Sequence, residues 1–170
     1  MIEENWEKET WRLIYGVRKI RKAIEYLDEV LERNPRNDTA LAIKANALNE
    51  LANKEKNWQL SLQAVECADE ALKINPNNDT ALFNKSWALI DLGKPREALQ
   101  YAEKALRINP RNEYAWYNKA WAYYLLGKRE KAIEYCNKAL KISPRNRIIE
   151  HGKEIFLKNE IPEHLQKFKK

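Results

Sequence analysis

The side chains with chemistry to offer are rings and amides, and they are set at a fixed interval. Phe83, Asn84 and Trp87 recur thirty-four residues later as Tyr117, Asn118 and Trp121. Tyr114 and Tyr124 extend the later set, and Asn46 stands on the matching stretch one unit upstream. Aromatic faces beside amides, which both donate and accept hydrogen bonds, suit the apolar side chains and backbone of a peptide ligand. They recognise; they do not break bonds.

Groups that do break bonds are scattered. The two histidines, His151 and His164, fall near the C-terminal end, and the acidic pairs Glu3/Glu4 and Asp28/Glu29 are sequence neighbours that point apart on a helix. Gly16, Gly93, Gly127 and Gly152 are too dispersed for a phosphate loop, and no GxGxxG, GxSxG or HExxH occurs. Cys67 and Cys136 belong to no CxxC or Cys/His cluster and read as core residues. The expectation is a protein that is not an enzyme, with no cofactor and no metal.

What must position the rings is a repeated pair of helices. The stretch from Asn109 to Pro144 reads as two helices joined at Gly127, with Ala132 and Ala139 placing small side chains on the second. Thirty-four residues upstream the same marks stand at Pro76, Gly93, Ala98 and Ala105. A period in this range means stacked helical repeats, each burying its apolar face on the next. The units run from 4 to 35 in degenerate form, 38 to 76, 79 to 110 and 113 to 144, followed by a capping helix over 146–159 and a polar tail over 160–170. The first is read as a helix around Trp6 to Tyr15, a break at Gly16 and a helix from about Arg18 to Arg33. The second carries a seven-residue insertion between Leu51 and Ala64, which should lengthen both of its helices by about a turn and leave Trp58 near the tip.

The offsets of Leu82, Ser86, Leu89, Ala98, Ala102, Ala105 and Pro110, and of Trp116, Ala120, Tyr123, Ala132, Ala139 and Pro144, resemble the tetratricopeptide repeat. The resemblance covers residues 36 to 144 well and 4 to 35 loosely. It implies an all-α, right-handed α-solenoid of antiparallel helix pairs, whose first helices line a concave groove for peptide segments, and it implies no catalytic activity. One subclass grips a C-terminal carboxylate with lysines, an arginine and asparagines. At those positions this chain has Ala42, Asn46, Asn84, Tyr114 and Asn118, so the amides are present and the cations missing, which argues against such a clamp.

On a helical wheel Trp116, Lys119, Ala120 and Tyr123 share the packing face, while Tyr114, Tyr117, Trp121 and Tyr124 form a stripe opposite. One unit earlier the stripe is Thr80, Phe83, Trp87 and Ile90. The groove reading makes Asn46, Phe83, Asn84, Trp87, Tyr114, Tyr117, Asn118, Trp121 and Tyr124 peptide-binding residues. The competing reading turns part of the stripe into an intramolecular ladder, Phe83 against Tyr117 and Trp87 against Trp121.

Composition sets the remaining expectations. Of 170 residues 33% are charged, and no apolar run approaches a membrane span. The acidic start lacks the apolar core of a signal peptide, so the expected place is the cytoplasm. The net charge of +6 lies C-terminally, on Lys128, Arg129, Lys131, Lys138 and Lys141 of an outer helix and its turn and on Lys167, Lys169 and Lys170 of the tail. Three uses follow: a scaffold binding a partner's peptide, which the groove favours; self-assembly into a homo-oligomer through the same stripe; or nonspecific contact of the basic end with nucleic acid or an acidic partner, for which no motif speaks. The occupant could also be the chain's own tail, through Leu165 and Phe168.

Overall fold

The computed structural model describes residues 6–8, 10 and 20–166, and every regular element among them is a helix. These are α1 (Ile20–Arg33), α2 (Asp38–Glu55), α3 (Trp58–Ile74), α4 (Asp79–Asp91), α5 (Pro95–Ile108), α6 (Glu113–Leu125), α7 (Arg129–Ile142), α8 (Arg147–Lys158) and the short α9 (Glu163–Gln166). The expected break at Gly16, the anchor Trp11, and the tail residues Lys167, Phe168, Lys169 and Lys170 lie outside the described residues. Trp6 is described and packs against the α1–α2 core.

The asparagine-rich punctuation sets the helix starts. Asn37, Asn78, Asn112 and Asn146 each accept the backbone N–H three residues on, at Ala40, Ala81, Ala115 and Ile149, which satisfies a donor that the first turn leaves unpaired. The asparagine three places earlier has a second use. Asn75 Nδ2 donates to Asp38 and Asn109 Nδ2 to Asp79, each at 2.9 Å, so the end of one pair is tied to the start of its own first helix. Gly93 and Gly127 turn the chain between helices with φ of 69° and 74°, a left-handed conformation that favours glycine.

Helices α2/α3, α4/α5 and α6/α7 pack as consecutive pairs, α2, α4 and α6 lie side by side, and α8 packs on α7. The second helices meet their neighbours through alanines: Ala64, Ala68 and Ala71 on α3, Ala98, Ala102 and Ala105 on α5, and Ala132 and Ala139 on α7 are all sealed from solvent. A lysine ladder crosses the same seams at constant spacing. Lys44 pairs with Asp28 and Lys85 with Asp69, both at 2.5 Å, and Lys119 pairs with Glu103 at 2.9 Å, each reaching sixteen residues back. The result is an α-solenoid of antiparallel helix pairs with α8 on its end.

The insertion shows in the helix lengths: α2 and α3 have 18 and 17 residues, against 13 and 14 in α4 and α5. Trp58, the first residue of α3, is 50% exposed. Trp116 keeps the packing role expected of it, against the core clusters around Leu82 and Ala105 and around Ala132 and Ala139. It is half-buried at a seam, stacked on Tyr135 at 5.7 Å and donating its indole N–H to Pro110 O.

The capping geometry predicts the effect of one substitution. Asn112→Ala should lower stability by about 1 to 2 kcal/mol and Asn112→Gly by a similar amount, because either leaves the buried Ala115 N–H without the acceptor that Asn112 Oδ1 supplies. Urea denaturation of the two variants measures both losses.

Candidate functional site

Because α2, α4 and α6 lie parallel at close spacing, the residues four apart along each helix project into one hollow. The groove holds about 500 Å³ and is lined by Asn46, Glu50 and Asn53 of α2, by Thr80, Phe83, Trp87, Ile90 and Asp91 of α4, and by Tyr114, Tyr117, Asn118 and Trp121 of α6. Ile148 of α8 closes one side, with Pro162, His164 and Leu165 beside it. Leu165 is 2% exposed, so this part of the polar tail is packed against the groove wall. Among the described residues, Lys and Arg are absent from the lining.

Seven of the nine expected binding residues meet here: Asn46, Phe83, Trp87, Tyr114, Tyr117, Asn118 and Trp121. Asn84 does not. It is wholly buried between α2 and α4, where its Nδ2 donates to Ala42 O, its Oδ1 accepts from Asn46 Nδ2 and its backbone carbonyl accepts from Asn49 Nδ2. Asn118 repeats the bond one unit on, with Nδ2 donating to Phe83 O at 2.8 Å. The donors expected to meet a ligand backbone therefore join neighbouring helices. The identical spacing of Asn84 and Asn118 was compatible with either use, because a repeat places both a ligand contact and an inter-repeat contact at the same interval.

Tyr124 also leaves the groove. Its ring lies 4.6 Å from Phe156 of α8 and its hydroxyl donates to Glu160 O at 2.7 Å, which seals it beneath the C-terminal segment. Burial raises the pKa of its hydroxyl. Trp121 is shared: its ring meets Phe156 edge-on at 4.8 Å while it also lines the groove. Part of the stripe is thus used in packing, against α8 and within α6. Tyr117 donates to Ile148 O at 3.2 Å, and burial pushes its hydroxyl pKa well up. Phe83 stacks on Tyr114 at 6.2 Å, not on Tyr117. Gly152 of α8 fits directly over the Tyr117 ring, where a Cβ would overlap the hydroxyl.

Two carboxyl groups in the groove were not anticipated from the sequence. Asp91 Oδ2 is sealed from solvent without a hydrogen-bond partner, and burial pushes its carboxyl up to about 7. Glu50 occupies the matching place on α2, and burial raises it as well. The signal available was their position: Asp91 lies one turn after Trp87 and Glu50 one turn after Asn46, so both continue the stripe. Asn46 and Asn49 add two further buried acceptors without partners, each an Oδ1.

The cysteines have the character of core residues. Cys136 is buried with Sγ 3.4 Å from Ile149 O, and burial pushes its thiol up to about 12; Cys67 rises to about 11 for the same reason. Among the described residues no group of three or more His, Cys, Asp or Glu could hold a metal ion, and no helix is long and apolar enough to cross a membrane.

The family profile described as tetratricopeptide repeat matches residues 14–57, 61–113 and 83–147. No curated protein matches the chain. Similar solved structures include a thermophilic TPR protein of Thermus thermophilus, with TM-score 0.70, 19% identity, and coverage of 89% of this chain and 77% of that one. Another is MamA from residue 41 to its end, of Desulfovibrio magneticus, with TM-score 0.65, 23% identity, and coverage of 96% and 90%. The OM64 TPR domain of Arabidopsis has TM-score 0.59 and 27% identity over 71% of this chain and 94% of that one.

The buried carboxyl predicts a pH dependence. Folded Asp91 keeps a proton that the unfolded chain releases near pH 4, so its contribution to stability falls as pH rises from about 4 to 7 and is constant above. Asp91→Asn should therefore stabilise the protein by about 2 kcal/mol at pH 8 and flatten that slope, as read from urea midpoints across the range. Gly152→Ala should lower the midpoint and raise the exposure of Tyr117, as read from tyrosine ultraviolet difference spectra.

Proposed function

Since this chain belongs to the tetratricopeptide repeat family, whose members serve as protein–protein interaction scaffolds, we propose that its α2–α4–α6 groove binds a peptide segment of a partner protein. The observation that carries this reading is the groove's lining. Phe83, Trp87, Tyr114, Tyr117 and Trp121 keep partly exposed faces on a hollow of about 500 Å³, although the stack buries the alanines around them completely. Large rings left partly exposed beside a well-packed core mark a contact surface, because covering them with an apolar partner removes area from water at about 25 cal/mol per Å².

Selectivity would come from ring shape and from polar groups deep in the groove. The Asn46–Asn84 and Asn118–Phe83 bonds supply rigidity, since they hold α2, α4 and α6 at fixed separation before a ligand arrives. A preformed wall lowers the ordering entropy that binding must overcome. Non-catalytic recognition is the role this arrangement suits.

The test is selection of phage-displayed random dodecapeptides on the wild-type protein, followed by anisotropy titration of the enriched sequences. Phe83→Ala and Trp87→Ala should each weaken binding about tenfold or more while circular dichroism stays helical, and Trp58→Ala, at the far tip of α3, should leave it unchanged. Enriched peptides that bind the two ring variants as tightly as wild type would refute the groove.

A further inference from the structure

We propose that the partner segment presents a lysine or arginine side chain, whose cationic head meets Asp91 and Glu50 while its stem lies along the rings of Trp87 and Trp121. The inference rests on the groove reading above and specifies the chemistry of its occupant.

Three observations converge on a donor-rich cation. First, the unpartnered buried side-chain atoms on α2 and α4 are all acceptors: Asn46 Oδ1, Asn49 Oδ1 and Asp91 Oδ2. Asn46 and Asp91 line the groove and Asn49 does not, so two of these acceptors border the space a ligand would enter. An ammonium carries three N–H donors and a guanidinium five, with no acceptor to clash with such a wall. Second, charge is complementary only one way. Among the described residues the lining contains two carboxyl groups and no Lys or Arg, although the chain as a whole is +6. An acidic ligand would meet carboxylates inside an otherwise attractive basic exterior, whereas a cation is drawn to the groove alone. Third, the rings of Trp87 and Trp121 line the same groove as the two acids. Trp87 is one turn before Asp91 on the same face of α4, and aromatic faces attract cations through the ring quadrupole, Trp most strongly.

The two acids also reinforce each other. Glu50 and Asp91 hold the same position in successive units, on helices that pack side by side, and both line the groove, so both fields act on a cation there. Asp91 alone in this wall destabilises the free protein, and a bound cation offsets that by supplying the missing counter-charge. His164 is the other titratable side chain beside them in the lining besides the tyrosines. The test is therefore run at fixed pH 8, so that its protonation does not vary.

The experiment compares two fluorescein-labelled dodecapeptides of leucine, alanine and glycine, one with a single central lysine and the other with that lysine acetylated. Anisotropy is read in about 0.15 M salt, which screens the basic exterior. The lysine form should bind the wild type about tenfold or more tightly than the acetylated form. In the Glu50→Gln, Asp91→Asn double variant the two should agree within about twofold, with the acetylated form little changed. Equal wild-type affinities that Phe83→Ala abolishes would overturn the cation preference and leave the groove standing. Persistence of the preference in the double variant would overturn it too, as would failure of both peptides to bind at about 1 mM. Binding that Phe83→Ala leaves intact would count against the groove itself.

Discussion

The close approach of helices at alanine seams governs this structure. Ala64, Ala68, Ala98, Ala102, Ala105 and Ala132 have no solvent exposure, and a larger side chain at any of them would push neighbouring pairs apart. The aromatic residues of α4 and α6 pack around these seams in three places: against the rings of α7, under α8 or over the groove. Trp116 and Tyr135 take the first place, Tyr124 and Phe156 the second, and Phe83, Trp87 and Tyr114 the third.

Buried polar bonds then fix the register that close packing alone would leave loose. Apolar faces slide; a wholly buried amide bonded at both ends does not. Asn84 joins α2 to α4 and Asn118 joins α4 to α6 at equivalent carbonyls, Ala42 and Phe83, so each unit is locked to the last in the same way. The lysine ladder on the other side, ending at Asp28, Asp69 and Glu103, repeats with the same period. The first helices thus form a rigid wall, and rigidity makes the hollow between them suited to recognition.

Against that order, the orphaned acceptors of Asn46, Asn49 and Asp91 are a local departure. Buried polar groups without partners destabilise a fold, and functional sites are among the places where natural chains keep them. Two of the three, on Asn46 and Asp91, line the groove beside partly exposed rings and give it a polarity that its aromatic composition does not reveal. The same wall is closed on one side by Leu165, a contact that links the tail to the surface a partner would use.

The repeat period, the helix pairs and the positions of the caps were legible in the chain, because they follow from local rules: spacing of small residues, asparagine at helix starts, glycine at turns. Membership of the stripe was legible for the same reason, since a face is a property of one helix. What one helix cannot determine is which neighbour covers that face. Asn84 and Asn118 lie on the face expected, yet the amides point across to the next helix, and Tyr124 lies on the stripe, yet α8 and the segment after it cover it. The unpaired state of Asp91 likewise exists only when α2, α4 and the C-terminal segment come together. Periodicity specifies what each helix presents; long-range packing decides which of those groups remain available.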